Sequence, residues 1–314
     1  MNQTRQVTAT APGSIGNIGP GLDILGLAVA GRSDGVTAER TAEAGVSLAD
    51  PGHPALPADP RRHASAIAAA DVLRRSGADG GLRLTVRKGL PLSGGQGGSG
   101  ASAVAGAAAA NAVLGSPLTR DDLLASCLAA EAAVAGRHAD NVAPSLLGGA
   151  VLVRSLDPLD LVRLPCPPSL RVVLVQPAQQ LRTADARAAL PLQVPLEVAL
   201  AQAANVAAMV AALLQGDVAL LGRALDDGIA EPARAPLLPG FLAAKAAARA
   251  AGALGASISG AGPTAFALVD DSETGERVAQ AMVAAYREAG LPAEARVAEI
   301  DRHGVRLSDD FMPR

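Results

Sequence analysis

Tryptophan is missing from this chain, and one tyrosine and three phenylalanines leave it only 1% aromatic over 314 residues. That scarcity removes the stacking platforms on which single-stranded nucleic acids are held. Positive charge is not in excess either. The 27 lysines and arginines are outnumbered by 30 acidic residues, so no basic footprint points to a nucleic-acid partner. The two cysteines, Cys127 and Cys166, lack metal-ligand spacing, and Cys127 falls in a helical pattern as a small core residue. His53, His63, His138 and His303 are too scattered for a short zinc motif. No window reads as the long uncharged apolar run of a membrane span, and the polar start Met1-Asn2-Gln3-Thr4-Arg5 does not read as a signal peptide. The expectation is a cytoplasmic protein with no membrane partner. What remains is 49% hydrophobic and 18% charged, a globular composition with a core of Ala, Val and Leu and enough length for two domains.

Gln6 to Ala11 alternates as a strand does, and Leu22 to Val29 resumes an apolar run. Between them, Pro12 to Gly21 breaks the pattern. Ser14 and Asn17, with Asp23 just beyond, serve either a plain turn or contact with a ligand. A Pro-, Asp- and Gly-rich connection over 50–62 precedes helical spacing from His63 to Arg75, and Leu82 to Lys88 alternates as a half-buried strand. Thr119-Arg120-Asp121-Asp122 signals a helix start, and that helix, reaching about Ala135, carries Glu131 in an apolar stretch. A carboxylate there is costly unless it is paired, binds a cation, or sits on a helix edge that reaches solvent. His138, Asp140 and Asn141 then form a polar cluster before the strand Ala150 to Arg154, more than a helix stop requires.

Pro165-Cys166-Pro167-Pro168 pauses both charge and periodicity, which divides the chain into 1–164 and 165–314. In the second part, helical patterns at about Thr183 to Ala189, Leu196 to Leu214, Asp217 to Asp226, Phe241 to Ala251 and Glu273 to Ala289 mix with strands at Arg171 to Gln176, Ala256 to Ser259, Thr264 to Val269 and Ala293 to Ile300. This is an α+β order.

The stretch richest in chemistry is Pro91-Leu92-Ser93-Gly94-Gly95-Gln96-Gly97-Gly98-Ser99-Gly100-Ala101-Ser102, between a strand and an alanine-rich helix from about Ala101 to Leu114. Glycines there leave backbone N–H groups open at the positive end of a helix dipole, a seat for phosphate; a flexible linker would not need the flanking strand and helix. A Walker loop is excluded because no Gly-Lys pair occurs in the chain. Gly95, Gly97 and Gly100 spell the dinucleotide fingerprint, but Asp121 and Asp122 downstream sit at a helix start, where that fold needs the end of a strand.

The same stretch resembles the P-x-x-x-G-L-G-S-S-A-A loop of the GHMP kinases, with Gln96 in place of Leu, Gly98 in place of the first Ser and Gly100 in place of the first Ala. Ala11 to Ala28, containing Pro12-Gly13-Ser14 and Gly19-Pro20-Gly21-Leu22-Asp23, resembles the first motif of homoserine kinases within that superfamily. Arg137-His138-Ala139-Asp140-Asn141-Val142-Ala143-Pro144 resembles their distinguishing segment, and Ala256 to Thr264 resembles the third superfamily motif. The resemblance, in order over essentially the whole chain, implies a two-domain α+β GHMP kinase fold. Its N-terminal ATP-binding domain would be like domain 2 of ribosomal protein S5 and its C-terminal domain ferredoxin-like, with substrates between them.

The resemblance also implies transfer of the ATP γ-phosphoryl group to the side-chain hydroxyl of L-homoserine, in threonine biosynthesis, by a homodimer. ATP would lie on residues Pro91 to Ser102, and Mg²⁺ on Ser99 and Glu131. Asn17, Asp23, His138 and Asn141 would line the acceptor site, Asp23 taking the ammonium; Thr183, Arg187 and Arg234 would complete it, the arginines taking the carboxylate. The position where some GHMP kinases have an acidic base matches Asn141, so metal and electrostatic stabilisation are expected to carry catalysis, ahead of Asp140 as base. His63 stands where an Asn commonly begins the adenine-side helix of homoserine kinases. Two other readings are a mevalonate- or sugar-type GHMP kinase and a non-catalytic ligand sensor. The two arginines with Asp23 argue against the first, and the retained Ser99 and Glu131 against the second.

Overall fold

Alternating apolar residues commit the start of the chain to a sheet. In the computed structural model, which describes residues 6–308, β1 (Gln6–Gly16) turns Val7, Ala9 and Ala11 into the core. The polar start read over Met1 to Arg5 lies outside the described residues. The long β2 (Leu25–Thr41) returns antiparallel to β1, followed by β3 (Gly45–Asp50), α1 (Ala64–Ser76), β4 (Gly81–Arg87), α2 (Gly98–Val113), α3 (Arg120–Val134), α4 (Val142–Leu147), β5 (Ala150–Leu156) and β6 (Leu159–Leu164). The strands run β11-β1-β2-β4-β3, with β5 joining β2 to β6. Small residues let α1 and α2 pack closely over this sheet, and at Gly106 of α2 even an alanine would not fit, since an added Cβ would come within 2.4 Å of the Ser65 carbonyl on α1.

The second part holds β7 (Arg171–Pro177), α5 (Thr183–Ala188), α6 (Leu196–Gln215), α7 (Val218–Arg223), α8 (Ala230–Arg234), α9 (Phe241–Ala250), β8 (Gly255–Ile258), β9 (Ala265–Val269), α10 (Ser272–Glu288), β10 (Ala293–Glu299) and β11 (Arg306–Ser308). Its antiparallel sheet has the order β10-β7-β9-β8. One face packs under α9 and α10 through Phe241, Val278, Met282 and Tyr286. The opposite face, with Val172, Leu174, Phe266 and Leu268, shares a core with Ile15, Ile18, Leu25 and Leu27 of the first part. This shared apolar core holds the two parts in fixed relation.

Some details depart from the sequence reading. The helix after the glycine run begins at Gly98, so Ser99 is in its first turn and not ahead of it. Residues 142–147, read as loop, form α4, and β3, β6 and β11 were not anticipated. The Pro165 to Pro168 stretch, at which the sequence reading divides the chain, lies between β6 and β7, and β11 pairs with β1, which returns the chain end to the first sheet. The expectation that no stretch is long and apolar enough to cross a membrane is corrected by α6. This helix has 20 residues, carries no charge after Glu197, and meets that requirement by length and composition. Its scattered amides, Gln202 and Asn205, disguised the run; Gln202 donates to the Pro20 carbonyl of the first part and Asn205 to the Asp226 carbonyl.

Candidate active site

One cleft of about 700 Å³ runs between the two parts. Among the site residues expected from the sequence, Asn17, Asp23, Ser99, Glu131, His138, Asn141, Thr183, Arg187 and Arg234 all line it. So do Pro91 to Gly95, Gly97, Gly98 and Ser102; Gln96, Gly100 and Ala101 of the loop do not.

The glycine run is held by its carbonyls. Thr264 donates to the Gly94 carbonyl, Ser259 Oγ to that of Gly95 at 2.6 Å, the Ser14 amide to that of Gln96 at 3.2 Å, and Lys88 Nζ to that of Gly98 at 3.2 Å. Among the described residues, the N–H groups of 94–100 have no protein acceptor. A bound anion therefore meets donors only, at the N-terminus of a 16-residue helix. Left-handed backbone at Gly95 and Gly97 makes the turn, and neither position has room for a side chain. A Cβ would lie 2.5 Å from the Ser259 carbonyl at Gly95 and 2.1 Å from Ser14 Oγ at Gly97.

Beneath the loop lies a cluster that sequence reasoning missed. Asp34, fully buried in β2, accepts from Lys88 Nζ, from Ser102 Oγ at 2.7 Å and from the Gly89 and Leu90 amides. It ties β2, the end of β4 and the first turns of α2 together. Lys88, one of only two lysines in the chain and placed at the end of the strand entering the glycine run, was the available signal.

Ser99 Oγ donates to Glu131 Oε1 at 3.1 Å, and Glu131 Oε2 is buried without a partner. Burial pushes the Glu131 carboxyl up to about 7, helped by the charge of Asp140 and opposed by the Ser99 hydroxyl. A buried carboxylate oxygen left open beside a hydroxyl fits a divalent cation, and Mg²⁺ takes few protein ligands beside phosphate oxygens and water. The capping box of Thr119 and Asp122 at the start of α3 anchors the helix that carries Glu131.

At the acceptor end, Arg187 on α5 donates to both oxygens of Asp23 at 2.7 Å. His138 Nδ1 lies 3.3 Å from the same carboxylate. Burial raises the Asp23 carboxyl, but the Arg187 hydrogen bonds and the charges of His138 and both arginines outweigh it and hold it below its ordinary value. Asp23 sits in left-handed backbone, and its amide donates to Asn17 Oδ1 at 2.7 Å. Arg234, 3% exposed, donates to the carbonyls of Ala186 and Gly260, which fastens α5 to the third-motif loop.

Asp140 binds the Asn17 amide through Oδ2 at 3.0 Å, and its Oδ1 is buried without a partner. Burial, then the charge of Asp23, pushes its carboxyl up to about 7. Asn141 accepts from Ser14 Oγ at 3.0 Å. Glycine makes room for this pair: a Cβ at Gly16 would meet Asp140 Oδ2 at 2.3 Å, and one at Gly26 the Asp140 carbonyl at 1.7 Å. At the far end of the cleft stand Ala55, Leu56, Pro57 and Arg61. The buried His63 ring bonds the Pro51 carbonyl and Ser65 Oγ, and clamps that loop onto α1.

Residues 64–149 match the GHMP kinases N terminal domain and residues 209–288 the GHMP kinases C terminal family. Homoserine kinase of Chlorobium phaeobacteroides is 42% identical, over 96% of this chain and 99% of its own length. That of Arabidopsis thaliana is 43% identical, over 96% and 84%. The crystal structure of homoserine kinase from Cytophaga hutchinsonii superposes with a TM-score of 0.94 at 38% identity, over 98% of this chain and 99% of that one. Leishmania major mevalonate kinase, at 19% identity and a TM-score of 0.71 over 93% and 95%, shares the fold.

Two outcomes are expected. Gly98→Ala and Gly100→Ala, whose added Cβ would find neighbours no closer than 3.5 Å, keep ADP affinity within about threefold by calorimetry, because the binding donors are main-chain. Gly97→Ala loses affinity by more than about tenfold, since its Cβ would overlap Ser14 Oγ. The second concerns pH. The ligand-free folded state holds protons on Glu131 and Asp140 that the unfolded chain releases near their ordinary values of 4.5 and 3.8. That contribution is fully present below about pH 4 and is lost as pH rises to about 7. The urea midpoint should fall between pH 5 and 8, with a smaller fall in Asp140→Asn.

Proposed function

The chain belongs to the homoserine kinase family of the GHMP kinases, and on that premise we propose that its cleft moves the γ-phosphoryl group of ATP onto the side-chain hydroxyl of L-homoserine, with Mg²⁺ on Ser99 and Glu131. The product is O-phospho-L-homoserine, for threonine synthesis. The observation that carries the acceptor assignment is the Asp23–Arg187 pair, which lies in the same cleft as the phosphate loop. An α-amino acid brings an ammonium and a carboxylate, so it replaces one internal ion pair with two and gives each charge a partner. A sugar or mevalonate brings no ammonium for Asp23.

Phosphoryl transfer asks the protein mainly for alignment and charge neutralisation. The open amides of 94–100 receive the phosphates. Mg²⁺, when bound, neutralises charge on the phosphate oxygens. Ser99 and Glu131 would hold the ion, and the Ser99 hydroxyl, donating to Oε1, orients the carboxylate. Asn17 and Asn141 orient the acceptor hydroxyl, and Arg187 with Arg234 hold the carboxylate end. Asn141 cannot take a proton; Asp140, half-protonated near neutrality with Oδ1 free, is the neighbouring group able to receive one. Adenine fits the end of the cleft walled by Leu56 and Pro57. A cytoplasmic location suits two buried thiols that are both free.

The homodimer reading is supported by α6. Leu196, Leu200 and Leu214 are 75, 62 and 62% exposed, and Ala203 and Ala207 between them are exposed too. Paired antiparallel with a second copy about Ala207, Leu200 meets Leu214 of the other helix and Ala203 meets Ala211. The apolar stripe is self-complementary, and the acidic Glu197 and Asp217 fall at its two ends, outside Leu200 and Leu214. A helix about 30 Å long falls short of the roughly 800 Å² per partner of a stable interface. The edge strand β6, beside α6 and with Val162 exposed, widens the surface.

ADP release should be efficient with homoserine and weak with threonine, serine or mevalonate; nucleotide binding without turnover on any of them would favour the sensor. Ser99→Ala and Glu131→Gln should each lower kcat by roughly 10²–10³. Asp23→Asn should raise the homoserine KM about 10- to 100-fold with little change for ATP. Sedimentation velocity should give a dimer for the unaltered protein and a monomer for Leu200→Glu/Leu214→Glu.

A further inference from the structure

Gln96 is the one loop position where the GHMP pattern resembled above has leucine and this chain has a side chain able to make hydrogen bonds. Gln96 is 4% exposed and lies outside the cleft wall, although Gly95 and Gly97 on either side belong to it. Its side chain is therefore directed under the loop. There Nε2 donates to Gln176 Oε1 at 3.2 Å and to Thr264 Oγ1 at 3.4 Å, while Oε1 accepts from Arg296 Nη2 at 3.3 Å. Arginine has only donors, so the carbonyl end of the amide must face Arg296 and the amide orientation is fixed. Gln176 belongs to β7, Thr264 immediately precedes β9, and Arg296 belongs to β10. One side chain from the phosphate loop thus reaches two strands of the second sheet and the residue that enters a third.

Arg296 depends on this contact in turn. Its Nη1 donates to the Ala30 carbonyl at 2.8 Å, its Nε is buried without a partner, and no carboxylate pairs with it among the described residues. Burial, then the neighbouring Arg32, makes its charged form harder to keep. Leucine at 96 would fill much the same volume, yet it would strip one of the few acceptors from a desolvated guanidinium and leave the Gln176 carbonyl oxygen without its donor. A charged buried donor that loses its acceptor is costly, so the loop or the strand would shift to relieve it.

We propose that Gln96 is a positioning residue for ATP: with Arg296 it fastens the phosphate loop to the second sheet, so that the amides of 94–100 hold their anion-binding geometry only while both side chains are present. The inference rests on the nucleotide reading of the cleft.

Gln96→Leu, Arg296→Met and the double variant, each checked for folding by thermal melting, would be compared by ADP calorimetry and by initial rates with Mg-ATP and homoserine varied separately. Each single variant should raise the ATP KM and the ADP Kd about 5- to 30-fold and leave the homoserine KM within about twofold. The double variant should bind ADP better than Gln96→Leu alone, because it removes the stranded guanidinium. Unchanged ADP affinity in Gln96→Leu, an equal rise in both KM values, or fully additive losses in the double variant would each overturn the proposal. Should Gln96→Leu not fold, Arg296→Met decides by the same split between ATP and homoserine. If the unaltered protein itself failed to bind ADP, the nucleotide reading would fall first, and that result is separate from any difference between variants.

Discussion

The structure depends on how the carbonyls of one short loop are consumed. A glycine-rich turn offers amides to an anion only if its carbonyl oxygens are turned elsewhere, because in a flexible turn both kinds of group visit the same space. Here the carbonyls of Gly94, Gly95, Gln96 and Gly98 are each taken by a donor from another segment, namely Thr264, Ser259, Ser14 and Lys88. The four donors come from three separate stretches of chain, two that resemble family motifs and one that flanks the loop, and two of the donors belong to the second part. The apolar core shared by β1, β2 and the second sheet keeps those donors at fixed distance, so packing far from the cleft sets the polarity inside it.

Charge in the cleft follows the same economy. Each buried carboxylate has a purpose readable from what it lacks. Asp34 is fully satisfied and acts as a structural tie, whereas Glu131 and Asp140 each keep one buried oxygen without a partner. An open, desolvated oxygen raises the proton affinity of its group and waits for a cation or a proton. Asp23 lies between these cases, partly exposed in the cleft and paired through both oxygens with Arg187.

Much of this was legible in the sequence, and what was missed has physical reasons. Thr119 and Asp122 announce the start of α3 because capping is local chemistry between residues three apart. The strand–glycine–helix order around Ser99 is equally local. The start of α2 at Gly98 was misplaced because glycine disfavours helix intrinsically, while here tertiary hydrogen bonds hold its first turn. The short α4 was hidden by Pro144, which its first turn tolerates. β11 could not be seen, since a three-residue strand is defined by its partner β1 and not by its own pattern.

By itself, the sequence determined the succession of strands and helices and the glycine-rich turn ahead of α2, because each is a matter of spacing and of local chemistry, while the residues expected to hold an amino acid and a metal were named by the resemblance to the GHMP kinases. Only the tertiary structure decided that Asp23 and Arg187, separated by 164 positions, face each other. It also decided that Asp140 keeps an open oxygen where Asn141 does not, and that the Gln96 side chain leaves the cleft to meet Arg296. Those facts depend on burial and on which partners arrive from distant segments, and neither is encoded by any local stretch of the chain.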